Sequence, residues 1–289
     1  MNRVRLSLAT GMMAVGLAFA APAAATAKTT ICRGSPSSPG VLAGDYYGDV
    51  SIDGLCAVNA GRATVHGTVW LEPNSALVAA FGGHGSVLDV TRSIYVGRNA
   101  TLLLGCLPSS FPCIDDPNPS SPTLSSAPVV GASVIARDPL GVIVHDATVG
   151  GRIDESGGGG GMNCTPTGVF ASFGSPVYSD YEDSTVAHGL SISGLTSCWL
   201  GVARVNVGES ARFLSDNVAD PDGVEILANH ISGDLVCRDN SAVWDSAELT
   251  NSGLYPRTPE PNTVGGSRVG QCVLSSPRDA GGPAGPGPF

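Results

Sequence analysis

Lysine is nearly missing from this chain. Lys28 is the sole lysine among 289 residues, and Asp plus Glu outnumber Lys plus Arg by 25 to 15. The formal charge of −10 leaves no basic surface for a phosphate backbone, which excludes DNA and RNA as partners. Charged residues of all kinds reach only 14%, against a usual value of about 25%, and aromatics only 6%. Such a composition lacks the Glu and Lys that fill the exposed faces of helices. No Cys-x-x-Cys, Gly-x-Ser-x-Gly, His-Glu-x-x-His or Gly-Lys-Ser/Thr occurs. Cysteine-based zinc sites, the nucleophile elbow, the common zinc hydrolase motif and the phosphate loop therefore have no foothold. Beyond the first residues no apolar run is long enough for a transmembrane span.

What the chain has instead is glycine (39), proline (21) and eight cysteines. Glycine and proline together stay below the roughly 25–30% that marks low-complexity disorder, so most of the chain is expected to fold. Val-rich short runs bounded by turn residues favour strands. Arg3 and Arg5 precede an apolar stretch over 6–21 and the small residues of 23–27. That order is a secretory signal, expected over 1–27, and it places the protein outside the cell. An even number of cysteines in an exported chain reads as disulfides. Pairing of sequence neighbours is expected: Cys32 with Cys56, Cys106 with Cys113, Cys164 with Cys198, and Cys237 with Cys272. The second pair closes a short loop that Pro108 and Pro112 turn back. Residues 28–274 form the expected folded domain, and the Pro/Gly-rich 275–289 an expected disordered tail.

The organising feature is a repeat. Residues 68–77 align on 93–102, and 204–213 follow the same order of β-branched, apolar, turn and second apolar step. Residues 51–56 recur as 191–195, suggesting two related halves, about 41–145 and 178–272. Short alternating strands returning every 20–25 residues are what a β-solenoid requires. The expected fold is all-β, a right-handed parallel β-helix with Val207 pointing inward. A β-sandwich is the alternative, but the aligned segments lack the Asn-Gly or Asp-Gly turns its hairpins favour. Residues 107–128, with six prolines, read as a surface loop, and the run Gly157 to Gly161 as a turn or excursion.

Candidate chemistry is sparse. The histidines His66, His84, His145, His188 and His230 are scattered singly and read as surface or corner residues. One acidic group is Asp180, Glu182 and Asp183 with His188; the other is Asp216, Asp220, Asp222 and Glu225. Asp-x-Asp-Gly at 220–223 supplies two carboxylates on a sharp turn, so Asp216, Asp220 and Asp222 are the candidate Ca²⁺ ligands, though the full calcium-loop pattern is absent. A solvated acidic loop explains the same residues. For cleavage of a polysaccharide, Asp180 or Glu182 and Asp220 or Asp222 would have to line one groove with Arg204 or Arg212. Trp70, Tyr95 and Trp199 protruding from one face would instead suit sugar binding without cleavage.

The segments 145–151, 231–240, 261–266 and 270–272, with Cys164, Cys237 and Cys272, carry a resemblance. The chain resembles a group of exported actinobacterial proteins of unknown function with Gly/Val/Cys repeats, most closely over its last third. Ala242 stands where that group has proline. The resemblance brings no catalytic residue. The reading that follows is a secreted, disulfide-stabilised, non-catalytic structural, adhesive or carbohydrate-binding module, whose partner is an extracellular polysaccharide or a cell-surface component. The alternative is a lyase or glycosidase on the same scaffold.

Overall fold

The computed structural model describes residues 28–220, 223–244 and 262–273; the leader and tail expectations lie outside these. The described chain is a parallel β-helix with three sides. One coil shows the plan. Ile94–Val96 lies on the first side, Thr101–Leu104 on the second and Val129–Val130 on the third, and Val134–Arg137 then returns to the first side beside Ile94–Val96. The ladders are parallel on all three sides, which removes the antiparallel sandwich. Two sides join into an 18-stranded sheet through the long strand Val50–Ala57, and the third is a 9-stranded sheet.

Strand alternation sends every second residue inward. On the first side Val134 and Ala136, Leu190 and Ile192, and Ala211 and Phe213 are buried; on the third side so is Val207. They belong to one core that runs the length of the solenoid. The offset of 25 is a true coil repeat, since Val69 pairs with Ile94 and Leu77 with Leu102. Ser51 and Ser191 likewise share one row of the first side. The segment 204–213 is displaced by one side: Val207 lies on the third side and Phe213 on the first, whereas Val69 lies on the first and Leu77 on the second. All three sides ask for the same in/out pattern, so the pattern alone cannot tell them apart.

Two of the three corners turn on one left-handed residue per coil. Between the first and second sides these include Asn74, Asn99, Asp138 and Asp239; between the second and third they include Asp146, Asp183, Arg204 and Ala228. The residue after this turn often sends its side chain to the next backbone amide along the axis. Asn229 Oδ1 accepts from Val205 N at 2.9 Å, and Asn262 Oδ1 accepts from Asn229 N at 2.8 Å.

The two described insertions leave at the corners flanking the second side. Residues 105–128 depart after Thr101–Leu104, and 157–177 before Tyr178–Glu182. Both fold over that side, burying Ile143 and Leu103 beneath Phe111, Leu124 and Phe170. The five glycines of the 157–161 run all have positive φ. A Cβ on Gly159 would stand 2.4 Å from the Thr196 carbonyl oxygen. The cysteines form the disulfides Cys32–Cys56, Cys106–Cys113, Cys164–Cys198 and Cys237–Cys272. The second clasps the 105–128 insertion, and the third ties the other insertion to the coil at Cys198. Among the described residues no helix is long and apolar enough to cross a membrane.

Candidate functional site

With the second side covered, the first side is the broad face left open. One outward row crosses six successive coils: Trp70, Tyr95, Ile135, Asp154, Ser191 and Arg212. At the usual strand spacing this row spans about 24 Å. Trp70 and Tyr95 stack at 4.2 Å with planes 8° apart, each covering a face of the other. Toward the opposite end lies a cleft of 540 Å³, lined among others by Arg152, Asp154, His188, Ser191, Glu209 and Arg212. Its back is the corner between the third and first sides, where Gly151 is required: a Cβ there would lie 2.4 Å from Ser133 Oγ. Arg137 grips Asp154 through Nη2 at 2.8 Å and Nη1 at 3.2 Å, and Arg152 approaches the same carboxylate at 3.7 Å. His188 Nδ1 and Glu209 Oε1 are 2.8 Å apart. Arg212 is exposed and makes no ion pair with another described residue.

A second constellation lies on the covered side. His145 and Glu182 are cross-strand neighbours, and Asp180 stands two residues before Glu182 on the same face. His145 Nε2 and Asp180 Oδ2 are 3.0 Å apart, and Phe111 packs on the imidazole with ring centroids 4.6 Å apart. Arg204, one coil along the corner from Asp183, takes that carboxylate through Nε at 2.6 Å and Nη2 at 2.8 Å and also contacts Glu182. Ser110 Oγ donates to Asp183 at 2.6 Å. The residues His145, Asp180 and Glu182 are 0%, 2% and 4% exposed.

The expected residues are thus redistributed. Asp180, Glu182 and Asp183 do meet, with Arg204 on Glu182 and Asp183 and His145 on Asp180, but His188 is on the open side, and His145 is a buried member of the cluster instead of a surface or corner residue. Asp216 is buried in the corner ladder: its Oδ1 accepts from Leu195 N at 2.9 Å and its own N–H donates to Asn240 Oδ1 at 2.9 Å. That duty takes it off any exposed calcium loop. Asp220 is buried, and Asp222 lies outside the described residues. Trp70 and Tyr95 share the open side, while Trp199 packs on Tyr178 on the covered side.

One pair of residues went unnoticed in the sequence. Glu155 is fully buried inside the solenoid, accepting from Tyr181 Oη at 2.6 Å and from Ser179 Oγ at 2.8 Å. Burial pushes its carboxyl up to about 7. The alternation Ile153, Asp154, Glu155 carries the signal, because a strand that points Ile153 inward points Glu155 inward too.

No known protein family, no curated protein and no solved structure matches the chain.

Proposed function

We propose that this is a secreted, non-catalytic carbohydrate-binding module that takes an extracellular polysaccharide along the open first side. The observation that carries this reading is the 540 Å³ cleft in the open face, where Arg212 has no ion pair among the described residues and stands beside the hydroxyls of Ser191 and Ser210. An exposed guanidinium flanked by hydroxyls suits a sugar bearing carboxylate or sulfate groups. The polymer therefore lies across the coils, from the cleft toward Tyr95 and Trp70.

Binding without cleavage is favoured by the partners of the carboxylates. Asp154 sits between two guanidinium groups and Glu209 meets an exposed histidine, so each is engaged in an ion pair and neither stands free toward the cleft. On the covered side, Asp180 and Glu182 are too buried for a polymer to reach. The disulfides suit a protein working outside the cell. The test is retention of the secreted protein on immobilised anionic polysaccharides, with neutral glucans as controls and reducing ends assayed in parallel. Retention on the anionic polymers, weakened about tenfold or more by Arg212→Ala, is expected, as for the loss of a charged hydrogen bond. Equal retention on neutral glucans, or release of new reducing ends, would overturn the reading; the latter would favour the lyase or glycosidase, with Asp154 and Glu209 as its carboxyl pair.

A further inference from the structure

We infer that His145, Asp180 and Glu182 form a binding site for one divalent transition-metal ion of the zinc class, beneath the 105–128 insertion. Each can offer one ligand atom, and these atoms all lie within 4.8 Å of one another. The backbone sets this up. Asp180 and Glu182 point the same way from one strand, and His145 faces Glu182 from the next, so three donors converge from two rigid strands.

The independent sign of a missing ligand is polar valence left over in a closed space. Asp180 Oδ1 and His145 Nδ1 are buried and have no hydrogen-bond partner among the described residues. Buried polar atoms are nearly always satisfied, so two orphans on adjacent side chains call for an occupant. The donor set selects its kind. One imidazole nitrogen with two carboxylates is a zinc-type set with a fourth position to spare. Calcium wants six to eight oxygens and magnesium an octahedral, largely hydrated shell, and a buried set of one nitrogen and two carboxylate donors suits neither. Arg204 bridges Glu182 and Asp183 and so orients the Glu182 ligand from behind. Phe111 and Ser110 close the pocket from above, so the ion would exchange slowly.

The experiment strips the secreted protein with a chelator, reloads it with Zn²⁺ or Co²⁺, and removes excess metal by gel filtration. About one metal per chain should be retained, the Co²⁺ form should show the intense visible bands of a four-coordinate site, and Zn²⁺ should raise the melting temperature. His145→Ala and Asp180→Ala should each weaken binding about tenfold or more, whereas Phe111→Ala should keep the stoichiometry and speed exchange. Zinc-edge X-ray absorption on the unmutated protein keeps the inference testable should a variant misfold, and it should report one imidazole in an otherwise oxygen shell. Retention of far less than one metal per chain, binding unchanged in His145→Ala, or a shell without imidazole would overturn the inference. None of these outcomes bears on polysaccharide binding at the open side.

Discussion

Glu155 and Asp216 place carboxyl groups where a solenoid ordinarily keeps aliphatic or amide side chains. Burial raises Glu155 from 4.5 to about 7 and Asp216 from 3.8 to about 6. A carboxyl raised on folding adds stability that is complete below its unfolded value and is lost as pH climbs through the folded value. The window therefore runs from about pH 4 to about pH 7, opposite in sign to that of a salt-bridged acid. The melting temperature should fall as pH rises from about 5 to about 8. Glu155→Gln should flatten that slope and be more stable than the parent at about pH 8, by about 3 kcal/mol. Thermal scans across pH decide this, and an unaltered slope in Glu155→Gln would contradict it. Asp216 stands in line with Asn240 and Gln271, each passing a side-chain oxygen to the preceding coil's amide. Asp216→Asn should accordingly be neutral or mildly stabilising near neutral pH, while Asp216→Leu, which strips Leu195 N–H of its acceptor, should lose about 1–3 kcal/mol in denaturant titrations.

At the scale of strands and corners, the alternation of apolar residues marked Val207 as entering the core without telling which side of the coil it belongs to. Val207→Asp should destabilise by several kcal/mol in chemical denaturation, because it buries an unpaired charge. Corners were half legible. Asn and Asp accept the left-handed turn readily, so Asn74, Asn99 and Asp138 look like corners, but Arg204 and Ala228 do not. Ala228, at φ 53°, holds a conformation that glycine adopts without penalty, so Ala228→Gly should stabilise by up to about 1 kcal/mol in the same assay. The 105–128 insertion is ordered from within: Asp116 accepts the N–H groups of Asn118, Thr123 and Leu124, and these bonds hold its carboxyl below the usual range. The prolines marked this stretch as a loop. They gave no sign that it would lie over His145 and Asp180, since that depends on which corner the chain leaves by.

For the molecule as a whole, the division between a covered side and an open side sets the proposed binding face apart from the buried His145 cluster, and it was invisible in sequence. His145 and Glu182 are 37 positions apart yet adjacent in space because an insertion separates two neighbouring coils. Arg152, Ser191 and Arg212 form one surface because coils stack in register, not because any local motif joins them. Composition favoured strands, and the cysteine spacing agreed with the disulfides found, so class and scaffold were readable where the sites were not. The most direct test of the account is arginine modification by phenylglyoxal, read peptide by peptide, with and without a saturating anionic polysaccharide. Arg152 and Arg212 should become protected when the polymer is added, while Arg62, exposed on the third side, should react as before. Protection of Arg62 alone, or no protection of Arg212 by a polymer that binds, would contradict the assignment of the open first side as the binding face.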